Sequence, residues 1–194
     1  MEFKETSDQD LVHLYISGSE AGLAELIRRY QAKIYTSIYL LVKDEYLAED
    51  IFQDTFIKVI NTLKAGKYNE EGKFLPWVAR IAHNLVIDHF RREKRTPVVN
   101  NGETFDIFDV LGQYDESTED RIIREQTYTD LKKLIHLLPS EQKEVLIMRH
   151  YGDLSFKQIA DITDVSINTA LGRMRYALNN LRRMMTSKEL LLKD

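Results

Sequence analysis

Apolar side chains return every three and four residues through most of this chain, which restricts it to helices that each bury one stripe. The longest run is Leu23, Leu26, Ile27, Tyr30, Ile34, Ile38 and Leu41, which a single helix face can gather. Only 3 prolines and 8 glycines interrupt the sequence, and the strong periodicities are helical. An all-α fold is expected.

The punctuation divides this pattern into elements. Ser7 suits the cap of a short helix in which Leu11, Leu14 and Tyr15 share a face, and Gly18-Ser19 separates it from the long run. A third helix is expected from about residue 44 to 63, with Leu47, Ile51, Thr55, Val59 and Leu63 in line. After a polar loop at 65–72, Pro76 fits the first turn of a fourth helix, where its missing N–H has no intrahelical partner. That helix is expected to turn Trp77, Ile81 and Leu85 inward and to end in Arg91-Arg92-Glu93-Lys94-Arg95. Residues 96–116 lack periodicity, contain Asn100-Asn101-Gly102 and read as a linker. Ser117-Thr118-Glu119-Asp120 opens a fifth helix with the stripe Tyr128, Leu131, Leu134, Ile135 and Leu138. Pro139-Ser140 recaps the chain for a sixth helix carrying Val145, Leu146 and Met148. A capping box, Ser155-Phe156-Lys157-Gln158, opens a short seventh, and Ser166 caps a last helix running into Arg183. The expected architecture is two small helical domains, residues 1–95 and 117–194, joined by an acidic linker at 96–116.

Composition narrows the class. There is no cysteine, so neither a disulfide framework nor a thiolate metal site is available. No stretch approaches the ~18 consecutive apolar residues of a membrane helix, and the opening residues Met1-Glu2-Phe3-Lys4-Glu5 lead into no apolar signal core. A soluble, cytoplasmic protein without membrane insertion is expected. The net charge of -4 conceals a segregation. Arg80, Arg91, Arg92, Lys94 and Arg95 lie close in sequence against only Asp88 and Glu93. Arg173, Arg175, Arg182 and Arg183 lie in a stretch without any acid. Between 96 and 130, nine carboxylates face only Arg121 and Arg124. Two basic faces separated by an acidic segment suit a DNA binder, although solvated surface has the same composition.

A short helix with Phe156, Ile159 and Ala160, a tight turn pinned by Val165, and a capped helix bearing arginines make a helix-turn-helix pattern. Its second helix can enter the major groove and offer its capped N-terminus to a phosphate. The segment 138–146 (Leu-Pro-Ser-Glu-Gln-Lys-Glu-Val-Leu) and the segment 154–160 (Leu-Ser-Phe-Lys-Gln-Ile-Ala) resemble region 4 of bacterial sigma factors of the sigma-70 family. In the first half, Ala48-Glu49-Asp50-Ile51-Phe52-Gln53-Asp54-Thr55-Phe56 resembles the region 2.2 helix that docks on RNA polymerase. The segment from Phe74-Leu75-Pro76-Trp77 to Asp88 resembles the helix that opens and reads the −10 promoter element. Two such modules with a short linker resemble the extracytoplasmic-function (ECF) type. The resemblance implies core RNA polymerase and promoter DNA as partners, an anti-sigma factor as a further one, and neither cofactor, metal nor catalytic residue.

The residues carry this chemistry in detail. Asp50, Gln53 and Asp54 share one helix face with Glu49 alongside, an arrangement that can pair with arginines on a partner helix and is equally that of a solvated face. The resemblance assigns them, with Phe56, to polymerase. Arg80, Asn84 and Asp88 lie four apart on one face of the fourth helix, as a reader of single-stranded bases requires. Trp77 suits either core packing or unstacked bases, and Tyr68 and Asn69 stand in the loop that the resemblance assigns to a flipped base. Arg91, Arg92, Lys94 and Arg95 are expected on backbone phosphates. For the −35 element the candidates are Ser155, Ser166, Asn168, Thr169, Leu171, Gly172, Arg173, Arg175 and Tyr176. Three positions depart from the family pattern. Asp164 stands where the turn commonly has glycine, and Leu171 and Gly172 stand where a basic residue and a serine are frequent. The −35 sequence recognised is therefore expected to differ from that of better-known members.

One other reading of the same residues is a stand-alone helix-turn-helix regulator whose first half dimerises or senses a ligand. It would bind duplex DNA without polymerase. An enzyme has less support: His83 and His89 are six apart, and no HExxH, P-loop or nucleophile elbow occurs.

Overall fold

The structure, a computed structural model, describes residues 3, 5–69, 73–95, 131 and 133–191. Among the described residues these helices follow in order: α1 (Asp8–Ile16), α2 (Glu20–Val42), α3 (Glu45–Lys64), α4 (Phe74–Arg95), α5 (Ser140–His150), α6 (Phe156–Thr163) and α7 (Ile167–Leu191). Leu131 and residues 133–136 are also helical, the end of the expected fifth helix, and no strand occurs among the described residues. The linker at 96–116, the start of that helix at 117–130 and loop residues 70–72 lie outside the described residues.

Caps set the helix starts. The Ser7 hydroxyl accepts from the Asp10 N–H at 3.1 Å, and the Asp44 carboxylate accepts from the Leu47 N–H at 2.9 Å. Between α2 and α3, Lys43 turns the chain in a left-handed conformation, φ 61°. Helix α1 lies so close to α2 at Gly22 that a side-chain carbon there would come within 2.3 Å of the Leu11 carbonyl oxygen. Glycine is what lets Leu11, Val12 and Tyr15 reach the core from α1. Leu14, expected on that face, is only half-buried.

Helices α1 to α4 enclose a core built from Leu26, Ile38, Leu63, Phe74, Val78 and their neighbours. Each such side chain, fully withdrawn from water, contributes about 1.5–3 kcal/mol. On α4 the deepest line is Phe74, Val78, Ala82 and Val86; Trp77, Ile81 and Leu85, expected inward, flank it half-buried. The apolar stripe of α4 is two residues wide, and its centre lies one residue beyond the expected line. Downstream, α5, α6 and α7 form two smaller clusters: Val145, Met148, Ile159 and Ala170 in one, and Ile135, Leu138, Ala177 and Leu181 in the other.

The two halves touch. Ile147 of α5 belongs to the first core, while Leu75 and Ala79 of α4 pack against the second. Lys33 Nζ meets Asp153 at 2.9 Å across this junction. An apolar cavity of about 30 Å³ remains inside it, lined by Ile34, Ile38, Leu75, Ala79 and Met148 among others.

Candidate nucleic-acid and polymerase interfaces

The helix-turn-helix is built as its sequence dictates. The Ser155 hydroxyl accepts from the Gln158 N–H at 3.3 Å, and the Gln158 side chain accepts from the Ser155 N–H at 2.8 Å, which completes a capping box. Helix α6 ends at Asp164 in a left-handed conformation, φ 53° and ψ 49°, which aspartate tolerates better than most residues. The Val165 N–H then closes the turn on the Ala160 carbonyl at 3.0 Å. Ser166 opens α7 by accepting from the Thr169 N–H at 3.0 Å, with the Thr169 hydroxyl 2.9 Å from its own. The hydroxyls of Ser155 and Ser166 are thus already engaged in capping, and what each helix start can offer a phosphate is its remaining N–H groups.

Ala170, Ala177 and Leu181 are buried and fix the inward side of α7. Opposite them, Asn168, Arg175 and Tyr176 are exposed and make no hydrogen bond or ion pair with a described residue. Gly172 lies between them on that outward side. Leu171 is exposed beside it, and Thr169 and Arg173 lie on the other flank. Arg173 is half-buried and near enough to α5 to act on Glu141. That carboxyl is held low by its own backbone N–H, then by the Ser140 hydroxyl, with Arg173 a smaller contributor against the opposing effect of burial. The last helix is also longer than expected, continuing past Arg183 to Leu191.

On α3, Glu49, Asp50, Gln53 and Asp54 are all exposed, and the last three make no hydrogen bond or ion pair with a described residue. Phe56, expected with them at polymerase, is 6% exposed, with its ring 4.9 Å from Phe52. It lies away from the Asp50 face and turns into the core.

Helix α4 presents a mixed face. Asn84 is exposed and unpartnered among described residues, as are Arg92 and Lys94. Asp88 pairs with Arg91 at 3.7 Å on the surface. Arg80 is turned toward the helix-turn-helix, its Nη2 donating to the Asp161 carbonyl at 2.9 Å. The side chain of Arg95 lies outside the described residues. Trp77 packs on Tyr68 with ring centroids 4.3 Å apart and on Phe74 at 5.8 Å, so an aromatic cluster anchors the start of α4 beside the loop that carries the exposed Asn69. His83 sits in the junction between the halves, its ring nitrogens without a hydrogen-bond partner among the described residues and Glu144 3.8 Å from Nε2.

Among the described residues no group of three or more His, Asp or Glu side chains could hold a metal ion, and no helix is long and apolar enough to cross a membrane.

A helix-turn-helix with an outward face free among the described residues, on the same chain as a carboxylate–amide face unpaired among them and a basic helix end, defines a DNA-binding protein with a second, protein-directed surface. Comparison with known proteins is specific. The family model for Sigma-70 region 2 matches residues 26–96, and that for Sigma-70, region 4 matches residues 128–179. RNA polymerase sigma-H factor of Pseudomonas aeruginosa is 28% identical over 172 residues, covering 86% of this chain and 88% of that protein. ECF RNA polymerase sigma factor SigW of Bacillus subtilis is 25% identical, covering 87% and 91%. Two solved structures share the fold: CnrH in complex with the cytosolic domain of CnrY (TM-score 0.65, 18% identity, 93% of this chain and 97% of that one), and RpoE of Bartonella quintana with the anti-sigma factor NepR (TM-score 0.68, 19% identity, 84% and 96%). The chain belongs to the sigma-70 family of RNA polymerase sigma factors and is of the ECF type.

Proposed function

We propose that this protein binds core RNA polymerase in the cytoplasm and directs it to a set of promoters, residues 1–95 serving polymerase and the −10 element and residues 117–194 the −35 element. The observation that carries the reading is the pairing on one chain of two exposed surfaces that no described residue engages: Asp50, Gln53 and Asp54 on α3, and Asn168, Arg175 and Tyr176 on α7. The first is acceptor-rich and fits arginines of a partner helix. The second combines a donor–acceptor amide, a guanidinium and a phenol on the outward face of a recognition helix, as base readout in a major groove requires.

Between them, α4 supplies the opening step. Asn84 offers both donor and acceptor to a base edge, while Arg91, Arg92, Lys94 and Arg95 hold phosphates. Tyr68, Asn69 and Trp77 stand where a base turned out of the −10 strand is received. The protein has no catalytic role of its own, since bond formation belongs to polymerase. An anti-sigma protein is a further partner: both similar solved chains are held in complexes, one of them with a named anti-sigma factor.

A gel shift on promoter duplex with and without core enzyme tests the reading. Specific binding is expected only with core present. Equally tight specific binding by the free chain would instead identify a stand-alone regulator.

A further inference from the structure

Helix α7 carries a glycine in its interior for which the fold gives no reason. Gly172 is helical and is not among the glycines with positive φ. A side-chain carbon built on it meets no described residue within 4 Å. Glycine lowers helix stability relative to alanine, so the folded chain alone would be served better by a side chain here. Gly172 stands at the middle of the outward side of α7, with Asn168 four residues before it and Arg175 and Tyr176 three and four after it. That is where the helix backbone comes nearest to whatever it binds.

Beside this point the surface is apolar. Leu171 is 44% exposed and Ile167 45% exposed, one turn apart along one edge of the outward face. The major groove offers a helix one apolar group, the C5-methyl of thymine; every other feature of the base edges is a donor or an acceptor. Four residues of helix rise by about 6 Å, so Ile167 and Leu171 together span about two base-pair steps.

We propose that Leu171, with Ile167 one turn before it, reads thymine methyl groups in the −35 duplex, brought to contact distance by the absent side chain of Gly172. The inference rests on the −35 reading above and adds the chemical identity of what is read. Arg175 and Asn168 on the same face supply polar contacts, and the apolar pair distinguishes thymine from cytosine, which lacks the methyl.

The test uses holoenzyme and a promoter duplex in which each −35 thymine, on either strand, is replaced singly by deoxyuridine. This exchange removes one methyl and leaves every hydrogen-bonding group in place. At one or two positions affinity is expected to fall about fourfold, the factor that goes with burying one methylene-sized group. Holoenzyme carrying Leu171→Ala should lose that difference, and Gly172→Ala should weaken binding to both duplexes while leaving co-purification with core unchanged. Equal affinity for thymine and deoxyuridine at every −35 position would overturn the proposal. So would a methyl effect that persists in Leu171→Ala, or a mapped −35 element without thymine on either strand. If scrambling the whole −35 element leaves affinity unchanged, the −35 reading itself falls and the proposal with it.

Discussion

The guanidinium of Arg80 donates from Nη2 to the backbone carbonyl of Asp161, 2.9 Å away, and so ties α4 to the first helix of the helix-turn-helix. Asp161 is among the last four residues of α6, whose carbonyls have no partner within their own helix, and a cation there also complements the helix dipole. The same guanidinium lies on the α4 face proposed for the −10 strand. One side chain therefore joins the two halves and is also a candidate for the −10 strand. Arg80→Ala should remove a hydrogen bond worth about 0.5–1.5 kcal/mol. In hydrogen–deuterium exchange on the free protein, α6 amides that exchange through separation of the halves should then exchange about two- to tenfold faster. Unchanged protection would assign this contact no energetic role.

A second prediction concerns the α3 face. Asp50, Gln53 and Asp54 are exposed and unpaired among the described residues, so replacing all three by alanine breaks no hydrogen bond or ion pair within them. The thermal melt should shift by no more than a degree or two, on the order expected of surface changes. Co-purification with core polymerase should be lost, because charge-assisted contacts to a partner would be left unmade. Full core affinity in this variant would remove α3 from the polymerase interface.

Asn84 separates promoter opening from polymerase binding. Its amide is exposed on α4, one turn from Arg80 and clear of the apolar stripe. Asn84→Ala should leave core affinity intact, slow open-complex formation and flatten base preference at one −10 position. The discrimination lost should be on the order of 1–3 kcal/mol if the amide contacts a base edge in two places. Permanganate footprinting across a panel of −10 variants reads both effects, and an unaltered bubble with unaltered preference would refute the assignment.

Acid should reveal the network that seats α1. Hydrogen bonds from Arg28 and then Arg29 hold the Glu25 carboxyl at about 2, against 4.5 ordinarily, and Arg29 also reaches Asp8 at 3.1 Å and the Phe3 carbonyl at 2.6 Å. A carboxyl depressed in the folded state contributes stability that is fully present above its unfolded value and is lost as pH falls through the folded one. The difference in melting temperature between the native protein and Glu25→Gln should thus be largest above pH 4.5 and close as pH approaches 2. A difference independent of pH would mean that the Glu25 charge contributes nothing.

How much of this was legible in the sequence depends on the range of the interaction concerned. Caps and turns are local, so Ser7, Asp44, Ser155 and Ser166 could be read as helix starts and Asp164 as a workable turn. The side chain of Phe56 could not be oriented from its place in a family motif; it took the neighbouring Phe52 and the core to show it buried. On α4 the apolar residues fill two adjacent lines, and only packing against α2 and α3 selects Val78, Ala82 and Val86 as the deeper one. The bond from Arg80 to Asp161 and the burial of His83 opposite Glu144 join residues far apart in the chain, where no pattern of spacing reaches.

Reconstituted transcription shows whether this chain converts core polymerase into a promoter-specific enzyme. The template is a start region mapped by sequencing RNA after induced expression of the protein, with core alone and core plus purified protein compared. A discrete transcript is expected only with the protein present, lost when the −10 element is scrambled, strongly reduced when the −35 element is, and absent with the α3 triple variant. Initiation from the mapped site by core alone, or repression of it when the protein is added, would mean that the chain does not direct polymerase to that promoter.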